Sequence, residues 1–523
     1  MSTLLRTLGT WRHAILCTGT DEHGMKIQQA AEACEIETKS FCDQGAAIFK
    51  ELAENANISH DRFIRTTDPD HILAVQHFWK ALYEQGFIYE SKHEGWYSVS
   101  DETFYPESAI TRVLNHSTGL TFMASIETGK EVEWTSEFNY HFRLSAFREP
   151  LLQFYKENPN FIVPAARMQE VVKAVEDGLS DLSISRPRDR LSWGIPVPGD
   201  ETQTIYVWLD ALINYLTKAG YPFEQPGEFG SWPADVQVIG KDIMRFHCIY
   251  WPAFLMALNI KPPKQILVHA HWTLGKRKMS KSTGNVVNPF FALERFGVDG
   301  TRYYMVYDGG IQYDADYDNS FVSTRYKKGL SGGIGNLASR ITRSKSWSVR
   351  KAVEQMATQV NFSPMDQPGR EPSAKFEDLY KANEEHHSLL LELPSCVSQH
   401  FDNLDSSSAL QAIMEVIFAT NAYLQQRRPW NFERKAHAEK VDQIIFYCAE
   451  SLRICGILLQ PFMPAKMSQL LDTLGVSEDR RMLIDTKVGA DQDYGTHLPG
   501  INLELDEEME KFMRSESGKL RAS

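Results

Sequence analysis

Ala14-Ile15-Leu16-Cys17-Thr18 runs into Gly19-Thr20-Asp21-Glu22-His23-Gly24 and then into the helix-forming stretch Lys26 to Glu35. This succession of apolar run, polar turn and helix is the unit from which parallel α/β sheets are assembled. In such a sheet the turn lies at the carboxyl end of its strand, where open α/β sheets take their ligands. The unit recurs at Val236-Gln237-Val238-Ile239 before Gly240-Lys241-Asp242, with a helix expected from Ile243 through Leu258 and a third strand over Gln265 to His269. Residues 1–20 hold Arg6, Arg12, several hydroxyls and no acid, a composition shared with transit peptides. They lead without a break into the apolar run, however, and read better as a helix end followed by a core strand.

Between the two α/β halves, from about Ser91 to Leu179, short alternating pieces rich in Trp, Tyr, Thr and Gly read as an inserted β-rich subdomain. After Tyr326 apolar residues return at three- and four-residue intervals, as in Ala409 to Gln425 and Ala436 to Leu459, so a helical bundle is expected there. Asn361 to Ala374, with three prolines, reads as a loop, and the tail beyond Val476 shows no strong pattern.

A chain of 523 residues exceeds one core, so two to four domains are expected. Its 42% apolar and 24% charged residues are those of globular proteins, and no apolar run approaches the roughly 18 residues of a membrane span. The seven cysteines are scattered, odd in number and never spaced Cys-x-x-Cys, which argues for a reducing compartment and against disulfides or a thiolate zinc site. A net charge of -13 disfavours a polyanionic partner only on average. Arg325, Lys327, Lys328, Arg340, Arg343, Lys345, Arg350 and Lys351 follow one another without an acid between them. That run suits either phosphates or a solvated helix face.

Four segments carry candidate chemistry. Gly275-Lys276-Arg277-Lys278-Met279-Ser280-Lys281-Ser282-Thr283-Gly284-Asn285 sets four basic side chains and three hydroxyls on a glycine-bracketed loop, able to surround a polyphosphate or simply to be exposed. Trp208, Ala211, Leu212 and Tyr215 fall on one helical face, and His247 and Trp251 are one turn apart; such faces could enclose a thioether or merely pack a core. Asp21 could pair with an ammonium group or cap a helix. Asn336 and Arg340, one turn apart, could reach adjacent bases while Trp430 stacks on another, or they could belong to an ordinary bundle helix.

Lys278 to Ser282 matches letter for letter the Lys-Met-Ser-Lys-Ser signature of class I aminoacyl-tRNA synthetases. Tyr206-Val207-Trp208-Leu209-Asp210-Ala211 and Gly240-Lys241-Asp242-Ile243-Met244-Arg245-Phe246-His247, with Trp251-Pro252, resemble the methionine pocket of methionyl-tRNA synthetases, Leu212 replacing a proline of some members. The resemblance covers about Leu4 to Leu470 and is nearest to mitochondrial, fungal members through Gly24 to Gln29 and His269 to Thr273. It implies ATP-dependent activation of methionine to methionyl-adenylate and transfer to tRNA. Lys278 and Lys281 would be catalytic and would bind ATP together with Gly240 and Asp242. Asp21, Trp208, Ala211, Tyr215, Ile243, His247 and Trp251 would bind methionine, and Asn336, Arg340 and Trp430 the CAU anticodon of tRNA(Met). ATP would bring Mg²⁺; Gly95 to Glu102 has the zinc-free form, so no structural zinc is expected. A monomer without membrane attachment is expected, in the mitochondrial matrix, with the cytoplasm as the alternative.

The implied fold is an α/β Rossmann-like catalytic domain with an inserted β-rich connective subdomain, followed by an α-helical anticodon-binding bundle. The two catalytic halves fall at 1–90 and 181–274, the insert at 91–180, the signature loop and stem-contact region at 275–325, the bundle at 326–475 and a tail at 476–523. The His-Ile-Gly-His motif of class I occurs nowhere in the sequence. The first strand and helix are therefore expected to be incomplete, Leu4 to Trp11 being the end of that helix, as in an N-terminally truncated gene model or an alternative start. The alternative function is a catalytically impaired tRNA-binding homologue. A class I enzyme for another aliphatic amino acid is disfavoured because there is no large editing insertion.

Overall fold

Gly19 shows why the opening segment folds as it does. A Cβ there would meet the Ile64 carbonyl oxygen at 1.8 Å, so only glycine lets the two strands pair. These are β1 (Cys17–Thr20) and β2 (Arg62–Arg65), parallel, with Thr18 opposite Phe63. The strand thus begins later than the apolar run at Ala14. The structure is a computed structural model describing residues 14–99, 103–105, 107–114, 119–126, 128–223, 231–279, 284–357 and 374–496. Residues 16–51 and 60–269 form one unit, and the remaining described residues another.

In the first unit α1 (Met25–Ala33) and α2 (Thr38–Asn55) separate β1 from β2, and α3 (Pro69–Glu84) follows. Asp68 and Pro69 begin α3, and Ala74, Val75, Phe78, Trp79 and Leu82 form its buried stripe. The insert comprises β3 (Ile88–Ser98), β4 (Thr103–Tyr105), β5 (Ile110–Leu114), β6 (Thr121–Ser125) and β7 (Glu133–Phe142). β7 runs antiparallel to β3 along its length, and β5 pairs with β6.

The β-rich region is interrupted by helices after Phe142. α4 (Arg148–Glu157), β8 (Ile162–Val163) and α5 (Ala165–Glu176) come next, because Leu151 and Tyr155, and then Met168, Val171 and Val175, bury one helical face each. β9 (Leu182–Ser183) pairs with β7. β10 (Ser185–Pro187), β11 (Pro196–Val197) and β12 (Asp200–Ile205) make an antiparallel sheet with β12 in the middle. α6 (Val207–Ala219) closes on Gly220 at φ 98°.

β13 (Val236–Gly240) and β14 (Gln265–His269) pair in parallel, with β8 on the far side of β14. The single helix expected between them is three segments: a 3₁₀ turn at Lys241–Ile243, a π turn at Phe246–Tyr250 and α7 (Trp251–Ala257). Proline supplies the reason. Pro252 has no N–H for the carbonyl four residues back, that of Cys248, and the Tyr155 hydroxyl donates to that oxygen at 2.6 Å instead. Among the described residues of this unit the parallel strands form two ladders, β1–β2 and β13–β14–β8, and Val238 of β13 is 61% exposed.

In the second unit β15 (Trp272–Leu274) and β16 (Arg277–Lys278) form a hairpin, followed by α8 (Pro289–Phe296) and α9 (Val298–Asp308). β17 (Ala315–Asp316) pairs with β15, and α10 (Asn319–Arg325) enters a π run over Tyr326–Gly335 that continues into α11 (Asn336–Thr342). α12 (Val349–Ala357), α13 (Ala374–Asp402), α14 (Ser406–Arg427), α15 (Arg434–Leu459) and α16 (Pro464–Thr473) complete the expected bundle. Leu337, Ile341, Leu390, Ile413, Ile417 and Leu452 are among its fully buried side chains.

The tail that lacks pattern in sequence is docked on this bundle as far as Thr496. Buried Arg453 pairs with buried Glu450 at 2.7 Å and donates to the Lys487 carbonyl, while Glu450 accepts from the Gly489 amide. The segment Leu4 to Trp11 and the loop from Asn361 to Ser373 lie outside the described residues.

Candidate functional site

The turn after β1 is fastened on both sides of its exposed Asp21. Glu22 is buried and accepts from Arg65 at 2.5 and 2.8 Å, from Thr20 at 2.7 Å and from Thr67 at 2.6 Å. Burial works to raise the Glu22 pKa, but these donors outweigh it and hold the carboxylate below its ordinary range. The Trp193 indole donates to the Glu22 carbonyl at 2.6 Å. His23 reaches Asp210 of α6 at 2.6 Å; burial opposes its protonated form, yet the Asp210 charge prevails and raises its pKa.

α6 and the π turn after β13 carry the expected apolar pocket residues. Trp208, Ala211 and Tyr215 lie on α6, and Trp208 stacks on Phe246 with centroids 3.7 Å apart and planes 10° apart. His247 is buried, with Nδ1 at 3.1 Å from the Ile243 carbonyl and Nε2 at 2.9 Å from the Tyr215 hydroxyl. A carbonyl only accepts, so Nδ1 carries the proton, Nε2 accepts, and the Tyr215 hydroxyl donates. Burial drives the His247 pKa down to about 4, which keeps the ring neutral, and pushes the Tyr215 phenol up. Trp251 is fully buried, 6.2 Å from the Tyr215 ring. Aromatic rings and one neutral imidazole are gathered here without a net charge, a setting suited to an uncharged sulfur side chain. Gly240 ends β13 and Asp242 is exposed in the next turn, while Asp21 follows β1. Both groups therefore stand at carboxyl ends of parallel strands.

In the second unit the signature loop rises from the β15–β16 hairpin, where Gly275 and Lys276 both take φ 59°. Asp316 fixes the turn by accepting from the Lys276 amide at 2.9 Å and the Thr273 hydroxyl at 2.7 Å. Lys278 is exposed at the end of β16; Ser280, Lys281, Ser282 and Thr283 lie outside the described residues.

Asn336, Arg340 and Trp430 come together. Asn336 donates to Asn421 at 3.0 Å, Arg340 to Gln425 at 3.1 Å, and the Arg340 guanidinium lies over the Trp430 ring at 5.0 Å. Trp430 is 42% exposed. The basic run around the first two divides by role. Arg325 is tied to Asp308, Arg350 to Glu354 and the Tyr494 carbonyl, and Lys351 to Asp442, whereas Lys327, Lys328, Arg343 and Lys345 are exposed.

Sequence reading passed over Glu22, His23, Arg65, His71, Asp210, Phe246, Asn421 and Gln425. His23 and Asp210 are 187 positions apart, and no local pattern joins them. Phe246 was within reach, since it precedes His247 in a segment already singled out.

Two family models match the chain: one described as tRNA synthetases class I (M), over residues 5–342, and one described as the anticodon binding domain of methionyl tRNA ligase, over residues 381–491. The chain is 54% identical over 486 residues to the probable methionine–tRNA ligase, mitochondrial, of Neurospora crassa, covering 92% of this chain and 77% of that one. Identity to the mitochondrial methionine–tRNA ligase of Homo sapiens is 43% over 469 residues, with 89% and 77% covered. Among solved structures, methionyl-tRNA synthetase of Mycobacterium tuberculosis bound by methionyl-adenylate matches with a TM-score of 0.82 at 36% identity, covering 95% of this chain and 94% of that one.

Proposed function

The chain belongs to the methionyl-tRNA synthetase family of class I, and from that premise we propose that it activates methionine with ATP and charges it onto tRNA(Met) through the residues described above. The observation that carries the reading is the neutral His247–Tyr215 pair beside Trp251 and the Trp208–Phe246 stack. Ile243 and Ala211 complete the side-chain pocket, and Asp21 takes the ammonium through charge-assisted hydrogen bonds. Methionine is thereby held with its carboxylate available to react.

A carboxylate oxygen attacks the α-phosphorus of ATP, the bond to the bridging oxygen of the β-phosphate breaks, and pyrophosphate leaves. Gly240 permits close backbone approach to the adenosine, and Asp242 serves its hydroxyls. Lys278 and Lys281 offset the negative charge that grows on the phosphates. A hydroxyl of the terminal adenosine of tRNA then attacks the aminoacyl carbonyl and AMP leaves. Asn336, Arg340 and Trp430 read the CAU anticodon within the helical domain, taken as 326–475. Mg²⁺ is delivered with the triphosphate. The chain works without structural zinc and as a monomer. Its place is the mitochondrial matrix, a reading supported by the mitochondrial names of its relatives.

Methionine-dependent ATP–pyrophosphate exchange, followed by charging of a tRNA with a CAU anticodon, tests the proposal. Both are expected, and leucine, valine and cysteine should compete poorly with methionine. Absence of exchange alongside retained tRNA binding would overturn the enzymatic reading.

A further inference from the structure

Asp210 lies between Trp208 and Ala211 in sequence, yet it is fully buried. Its two oxygens go to two different elements: Oδ2 to His23 Nδ1 at 2.6 Å and Oδ1 to His71 Nε2 of α3 at 2.7 Å. A carboxylate only accepts, so both ring nitrogens carry protons. The other face of His71 is held by Thr217, whose Oγ1 is 3.0 Å from Nδ1, and Thr217 is itself bonded to the Ile213 carbonyl at 3.1 Å. Asp210 and Thr217 both belong to α6, so His71 is clamped at its two nitrogens and in turn stops the Asp210 carboxylate from rotating.

We propose that the buried His23–Asp210–His71 chain is a positioning relay that locks the Asp21 turn onto α6 and so sets where the substrate ammonium is bound. The proposal rests on the methionine reading of this site. A buried ion pair is poor value for stability alone, because desolvation offsets most of its attraction, and its use here is geometric. Glu22 and His23 are held by different partners, Glu22 by Arg65 and the Trp193 indole and His23 by Asp210, with the Trp193 ring edge-on to His23 at 5.6 Å. Asp21 is left as the exposed acid of the turn. The same residue of α6 that receives His23 is one position from Ala211 and two from Trp208, so one carboxylate fixes the distance between the ammonium site and the thioether site.

The test separates those two sites. Tryptophan fluorescence of the full chain is titrated with methioninol, which carries ammonium and thioether, and with 3-(methylthio)propan-1-ol, which carries the thioether alone. In Asp210→Asn, methioninol binding should weaken by about tenfold or more, the scale of a misplaced binding group, while the alcohol stays within about twofold. His23→Gln keeps a donor for the carboxylate but not the imidazole; it should show the same selective loss at smaller size and decides the matter if Asp210→Asn does not fold. Equal weakening of both ligands, or unchanged methioninol binding, overturns the relay. A wild-type chain that binds neither methionine nor methioninol overturns the methionine reading itself, a separate outcome.

Discussion

Whether the pocket suits a thioether turns on one imidazole staying uncharged. His247 is neutral because burial removes the water that would solvate its cation, and this outweighs the Ile243 carbonyl, whose hydrogen bond favours the charged ring. The consequence for stability has a definite sign. With a folded pKa of about 4 against an ordinary 6.5, the unfolded chain takes up a proton as the pH falls through 6.5 and the folded chain does not until near 4. Stability is therefore lost as the pH drops across that window, by about 2 kcal/mol at pH 5 from this group. Denaturant unfolding of the wild type and of His247→Gln at pH 7 and pH 5 checks it: the substitution should shrink the pH-dependent difference by about that amount, and an unchanged difference would mean the ring titrates normally. The spacing of Trp208, Tyr215, His247 and Trp251 was legible in sequence because each pair is local to a helix. The polar partners were not, since His23, His71 and Asp210 meet only when three distant segments fold together.

At the scale of elements, the site depends on a helix that does not run regularly. Pro252 leaves the Cys248 carbonyl without its usual donor, the chain passes through a π turn there, and His247 sits in that turn. Tyr155 of α4 mends the gap through its hydroxyl, so an element outside the pocket holds a pocket residue in place. Tyr155→Phe keeps the ring and removes only the donor; it should cost about 1–2 kcal/mol of stability and weaken methionine binding through movement of His247. Melting and methionine titration check this, and a loss of stability with no change in binding would confine Tyr155 to a structural role.

Elements with a strong local signal were readable: β13 and β14 fall where the apolar runs place them, and α14 and α15 follow their helical period. The helices α4 and α5 inside the β-rich region went unread, although Met168, Val171 and Val175 keep a helical spacing there. The docked segment after Val476 gave no signal because its hold on the bundle combines the Glu450–Arg453 pair, backbone groups and isolated apolar contacts such as buried Tyr494, which make no periodic pattern.

At the scale of the whole chain, the proposed methionine pocket and the trio proposed to read bases are built from different units. Asp21, Trp208, Ala211, Tyr215, Ile243, His247 and Trp251 belong to one, and Asn336, Arg340 and Trp430 to the other. The two activities should therefore be separable by a change confined to the second unit. Trp430 is the best place to make it. Its ring is partly exposed, is packed under the Arg340 guanidinium, and sits on a 3₁₀ turn outside the bundle's long helices. Truncation removes a stacking surface without opening the core. Stacking of a base on an aromatic side chain contributes about 1–3 kcal/mol, so Trp430→Ala should lower kcat/KM for tRNA charging by about 5- to 150-fold. Exchange with methionine and ATP should stay within about twofold of the wild type, because no residue of the methionine pocket is altered. Arg340→Ala should reproduce the charging defect, since it removes both the cation over the ring and the bond to Gln425. Measuring both activities on each variant decides the point: parallel loss of charging and exchange would mean that Trp430 supports the fold, whereas loss of charging alone assigns it to tRNA.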